Sequence, residues 1–328
     1  MVHLVRNNSP YTVIILFIFT LLIKLQALAD PQLPLLSPNH IFFEGILNVF
    51  DIVFGGSAFA YTMFAVVMLF GQALFLNAIA VKFRLFPKAT YVVAYLYLLF
   101  TSIHPVFSYF SETLVLNWFL IGAIHALLAF HQTVSPRKQI YNAGFLLCVA
   151  TVLHFPAVFF LGLLFAALIL LRSFNAGEWI VGLMGYLTPV YFFAGVLFLA
   201  DQLPAMMQWP DLGLAFSRNM GSPFYTTVVI AGILILFFCG VFVLNGQISR
   251  SAVFARRSWV MTVVGLVLAL AAAFTTNIDQ KSGWLMAMPL LSLIIAQPLN
   301  LEKSKRFSNF TFYFSLLFII TCQLAYNY

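Results

Sequence analysis

Side chains able to do chemistry are scarce in this sequence: nine carboxylates, six histidines and three cysteines among 328 residues. Two of the carboxylates, Glu44 and Asp51, lie in the segment from His40 to Phe54. At the helical turn of about 100° per residue, His40, Glu44, Asn48 and Asp51 share about 80° of arc, and the apolar residues fill the remainder. The spacing predicts an amphipathic helix at the membrane interface. Ordinary interfacial anchors turn Lys and Arg towards anionic headgroups, whereas this polar face has two acids and no base, so it fits either a plain interfacial helix or the wall of a water-filled cavity. A third acid, Glu112, follows Ser111 at the start of an apolar run. Behind a serine cap, a carboxylate suits the positive end of a helix dipole. The same group can serve as a general base on a hydroxyl or help to hold a divalent metal. Glu44, Asp51 and Glu112 are therefore the acids beside which any chemistry is to be sought.

Histidines add less. His40, His104 and His154 end at the same side as those acids, but no H-x-H, H-x-x-x-H or H-E-x-x-H spacing marks a metal site. His125 falls midway along an apolar run, where donating a hydrogen bond between packed helices is its expected role. Cys148, Cys239 and Cys322 all lie inside apolar runs and read as small core residues. Lys24, Arg218 and Lys281 are cations on the side of the acids. Arg218 and Lys281 are the candidates for binding a lipid phosphate, and lone bases at this depth also snorkel to the interface. There is no P-loop, no G-x-G-x-x-G after a strand and no G-x-S-x-G elbow, which argues against cytosolic nucleotide chemistry.

The elements that must position these residues are apolar. Hydrophobic residues make up 63% of the chain and charged residues 8%, far below the quarter typical of soluble domains. The chain is expected to be all-α, a single transmembrane helical bundle over residues 1–328. Its apolar runs, Tyr11–Ala29, Phe59–Ala80, Ala89–Ile103, Thr113–Phe130, Ile140–Leu153, Ala157–Leu171, Trp179–Ala200, Pro223–Leu244, Ser258–Thr276, Gly283–Gln297 and Phe307–Tyr326, predict about eleven spans. The third, fifth and sixth are short. The first also resembles a cleavable signal peptide, with Arg6 before the apolar run and Ala27-Leu28-Ala29 after it.

Basic residues orient the bundle. Placing the amino terminus in the cytoplasm puts 13 of the 16 Lys and Arg inside, as the positive-inside rule requires, and sends the carboxyl terminus outside. Seven of the nine acids then fall on the outer side. The net charge of +7 is scattered between apolar runs and not gathered on a solvated face, so it does not read as a nucleic-acid footprint. The expected location is the bacterial cytoplasmic (inner) membrane, with membrane lipids as partners.

Over residues 1–200 this layout resembles the GT-C class of membrane glycosyltransferases. The likeness rests on Glu44 and Asp51 after the first span, the basic turn from Lys82 to Lys88, the short third and fourth spans, Ser111-Glu112 opening the fourth, and the turn Pro136-Arg137-Lys138. The resemblance implies a sugar carried on polyprenyl phosphate at the outer face. It assigns the role of base or metal ligand to Glu44 or Asp51, an assisting role to Glu112, and a divalent metal as cofactor. Glu44 and Asp51 stand seven apart and do not form that class's paired-acid motif. Residues 201–328 would be additional carboxyl-terminal spans. The chain as a whole is similar to polytopic bacterial membrane proteins, a likeness from which no activity follows. A non-catalytic scaffold for envelope assembly is the alternative function. A transporter is the third reading, weakened because the span centres carry no ionisable group apart from His125.

Overall fold

Helices are dictated by the runs of Leu, Phe, Ala and Val, because a chain in lipid must satisfy its backbone hydrogen bonds internally. The computed structural model describes residues 5–6, 9–34, 41–130, 135–204, 206, 222–248, 252–276, 281–301 and 305–326. All of its regular elements among these residues are helical. They are α1 (Pro10–Ile23), α2 (Leu25–Ala29), α3 (Ile41–Phe54), α4 (Ala58–Lys82), α5 (Val92–Phe100), α6 (Glu112–Ala129), α7 (Arg137–Leu153), α8 (Leu161–Leu171), α9 (Ala176–Leu199), α10 (Pro223–Ile248), α11 (Val253–Phe274), α12 (Met288–Leu299) and α13 (Lys305–Tyr326). Tight 3₁₀ turns precede α6, α8 and α12.

Among the described residues, seven segments are long and apolar enough to cross a membrane: α4, α6, α9, α10, α11, the stretch 281–299 leading through α12, and 306–326 of α13. The other four apolar runs form shorter elements. The first breaks at Lys24 into α1 and α2, the third keeps only nine helical residues in α5, and the fifth and sixth become α7 and α8. Proline sets two of these limits, since Pro105 and Pro156 each open a 3₁₀ turn after a histidine.

Contacts define two ends. Arg6 donates to the carbonyls of Leu299 and Leu301, Lys82 bonds to His125 and Thr90 to Asn300, and the rings of Phe86 and Trp259 meet at 5.5 Å. This is the basic end. At the opposite end Lys24 reaches Ser108, Tyr225 reaches the Ile103 carbonyl, and His104 packs against Tyr326. Between the two ends, α5 and α12 are buried along their whole length. By contrast α9 and α10 expose Tyr191, Phe192, Phe198, Phe238 and Phe242. Such surfaces fit a lipid solvent.

A buried polar chain ties α4, α5 and α6 together. Gln72 donates to the Leu114 carbonyl at 2.7 Å and accepts from Tyr97 at 2.7 Å, while Asn117 donates to the Leu285 carbonyl at 3.0 Å. Interhelical hydrogen bonds in membranes contribute about 0.6 kcal/mol on average. Gln72→Leu removes two of them, so a loss of about 1 kcal/mol is expected, readable as a lowered unfolding midpoint in detergent. An unchanged midpoint would mean that the chain adds no stability.

Two expectations are corrected. His125, four residues before the end of α6, makes the expected bond between packed helices but not as its donor: its Nε2 is 2.8 Å from the Lys82 ammonium. An ammonium has only donors, so His125 accepts here. Lys24 is not a snorkelling base: it is turned inward, 2% exposed, and donates to Ser108 Oγ at 2.9 Å and the Thr101 carbonyl at 3.1 Å. Polar partners inside the bundle replace the headgroups.

Candidate functional site

Glu112 is positioned from the backbone outward. Ser111 has extended dihedrals, and its hydroxyl accepts from the Leu114 amide at 3.4 Å, which places Glu112 in the first turn of α6. The cap and dipole arrangement read from the sequence is therefore present. The carboxylate then meets a group on another helix: Oε1 lies 2.6 Å from Nδ1 of His154. His154 follows α7 in an extended conformation, where Pro156 prevents the helix from continuing. Both side chains are almost entirely buried, at 2% and 5% exposure for the histidine and the glutamate.

The other imidazole nitrogen continues the line, with Nε2 3.2 Å from Thr276 Oγ1 just beyond α11. Thr276 also bonds back to the Ala272 carbonyl at 2.9 Å. With its hydroxyl proton donated there, Thr276 accepts from Nε2–H. Nδ1 and Oε1 make the close contact of an ion pair when the imidazole is protonated. Glu112, His154 and Thr276 thus stand in a carboxylate–imidazole–hydroxyl line across the ends of α6, α7 and α11.

The candidate acids do not gather into one set. Asp51, exposed on α3, accepts from the Tyr61 hydroxyl at 2.5 Å. Glu44 is half-buried on the same helix. Among the described residues neither bonds to Glu112 or His154. The reason is how α3 docks: Phe43 and Leu47 are buried, and the rings of Phe43 and Phe50 pack on Phe110. Asp51 and Glu44 are left at the margin of that contact, and Phe42 and Ile46 lie on the other flank. Lys281 is half-buried at the start of a 3₁₀ turn. Arg218 and His40 lie outside the described residues.

The other flank of α3 borders two adjoining apolar grooves of about 440 Å³ each, which share Phe42, Ile46, Phe193 and Val196. The second is also lined by Val115, Val152 and Leu153, so its wall runs to within a residue of His154 and three of Glu112. A divalent metal does not fit this arrangement. Glu112 faces an imidazole, Asp51 faces a phenol, and among the described residues no three His, Cys, Asp or Glu side chains gather as ligands.

His154 as the partner of Glu112 was not legible as a pair. The signal for it was indirect: histidine before proline at the end of a short apolar run places a polar ring at a helix terminus. The three cysteines, read as core residues, are all free, two of them buried.

Among the described residues, which are all-α in their regular structure, seven segments are fit to cross a membrane, the make-up of a multi-pass membrane protein. No protein family, curated protein or solved structure matches the chain.

Proposed function

We propose that the protein is a multi-pass transferase of the cytoplasmic membrane. Its basic end faces the cytoplasm, about eleven apolar segments lie in the bilayer, and it acts at the outer face on a substrate carried by a lipid chain. The single observation behind this reading is the 2.6 Å contact between Glu112 and His154, set beside an apolar groove lined by Leu153, which precedes His154, and by Val115, one turn on from Glu112. The GT-C-like layout makes a polyprenyl-phosphate-linked sugar the substrate class. The groove receives the isoprenoid chain, and the carboxylate–imidazole pair takes the proton from an acceptor hydroxyl. As that oxygen bonds to the sugar carbon, the bond from carbon to phosphate oxygen breaks and its electron pair leaves with the lipid phosphate.

Burial of both residues favours a second reading, a structural pin in a non-catalytic scaffold for envelope assembly. One experiment separates the two. In cells lacking the native copy, envelope glycans are profiled by mass spectrometry with wild type, Glu112→Gln or His154→Gln supplied. The transferase reading expects loss of one glycan class in both variants at normal protein levels. Wild-type profiles from both variants would leave only the scaffold.

A further inference from the structure

The basic end carries a second cavity, remote from Glu112. It is a cleft of about 630 Å³ between the turn after α4, the end of α10, the start of α11 and α12. We propose that this cleft binds the headgroup of an anionic glycerophospholipid, with phosphatidylglycerol as the best fit. The observations are independent of the transferase reading.

Charge comes from the turn after α4. Arg84 lines the cleft and is exposed; its backbone N–H donates to the Val81 carbonyl, and its guanidinium makes no hydrogen bond or ion pair with any described residue. Its backbone sits at φ 50°, the left-handed region that favours glycine. An arginine kept in such a conformation aims its guanidinium where an ordinary turn would not, and outliers of this kind cluster at ligand sites. A guanidinium fork matches a phosphate. Lys88 adds a second cation to the lining.

Further donors lie opposite. The first residues of α11 open on the cleft at Ala252 and Ala255. Ala252, at the cap position, has no side-chain oxygen to occupy the amides of that first turn, and a helix N-terminus favours anions. Gln297 is the observation that points to a ligand. It lines the cleft, is 1% exposed, and its Oε1 has no hydrogen-bond partner. A buried acceptor calls for a donor. A bare phosphate diester has none to offer, whereas a glycerol headgroup brings hydroxyls.

The apolar part of the wall favours a lipid over a soluble phosphate. Val81 lines the cleft and also belongs to the exposed apolar face of α4. Acyl chains leaving the cleft have that face to lie on. Trp259, held edge-on against Phe86, closes the inner side.

Full-length protein in mild detergent tests this by native mass spectrometry, titrated with phosphatidylglycerol, phosphatidylcholine or phosphatidic acid, with inorganic phosphate as competitor. Wild type is expected to prefer phosphatidylglycerol to phosphatidylcholine. Arg84→Gln and Arg84→Gly should each weaken phosphatidylglycerol binding about ten-fold, the loss of one charge-assisted hydrogen bond. Arg84→Gly relieves the left-handed backbone, so its unfolding midpoint should not fall, which separates lost binding from misfolding. Arg137→Gln, exposed at the same end but outside the cleft, should bind as wild type. Gln297→Met should lose affinity for phosphatidylglycerol and keep it for phosphatidic acid, which lacks the glycerol hydroxyls. The proposal falls if both Arg84 variants bind as wild type, if Arg137→Gln loses as much, or if inorganic phosphate at equal concentration displaces the lipid. Equal effects of Gln297→Met on both lipids would overturn the assignment of the glycerol headgroup.

Discussion

Replacing Glu112 by alanine is expected to destabilise the protein by about 3–5 kcal/mol, the cost of removing one partner from a buried charged pair. His154, buried, would keep a polar ring in the interior with its carboxylate gone. Removing both charges should cost less than removing one, since apolar groups of similar volume often replace a buried pair at little loss. The measurement is a double-mutant cycle on Glu112→Leu, His154→Leu and the double variant, read from unfolding in detergent. A coupling of more than about 1 kcal/mol is expected for residues in direct contact. Additive losses would show that the 2.6 Å contact contributes no interaction energy. The stability result and the glycan result together distinguish chemistry from scaffolding: a catalytic pair changes the glycans in Glu112→Gln, where the fold is perturbed least.

How much of this was legible depends on whether the signal was local. Helix positions were, because hydropathy is summed over neighbours, and each apolar run falls on a helix or on a 3₁₀ turn with a helix. Ser111-Glu112 was legible for the same reason, since a cap is decided within four residues. The amphipathic helix over Ile41–Phe54 formed as its period required. Its packing did not follow from that period, because an apolar arc cannot say which of its residues meets protein and which meets lipid. Phe43 is buried while Ile52 is 86% exposed, and Phe110, the ring that makes the difference, is far along the chain. Lys24 and His154 were obscured in the same way. Both are held by residues on other elements, and no spacing along the sequence encodes those meetings.

Gly185→Ala carries the second large expected effect. It concerns the contact between α7 and α9, the most extensive helix pair in the bundle. Backbones meet there without intervening side chains: a Cβ on Gly185 would stand 2.4 Å from the Tyr141 carbonyl oxygen, and one on Gly144 would stand 2.4 Å from that of Gly182. Neither neighbour is a side chain that can rotate away, so the helices themselves must separate. Small residues allow this close approach in membranes, where packing and not water drives association. Overpacking a tight contact costs about 1–3 kcal/mol, and Gly144→Ala should fall in the same range because it strains the same interface. The consequence extends to the groove, since Phe193 and Val196 on α9 line it opposite Val152 and Leu153 at the end of α7. Pushing α9 outward should therefore weaken binding of an isoprenoid phosphate while leaving the 2.6 Å Glu112–His154 contact in place. Gly195→Ala is the control on the same helix, because its added methyl meets nothing within 4 Å. If Gly185→Ala unfolds at the same midpoint as Gly195→Ala, α7 and α9 are not packed backbone to backbone, and the groove between them loses its wall.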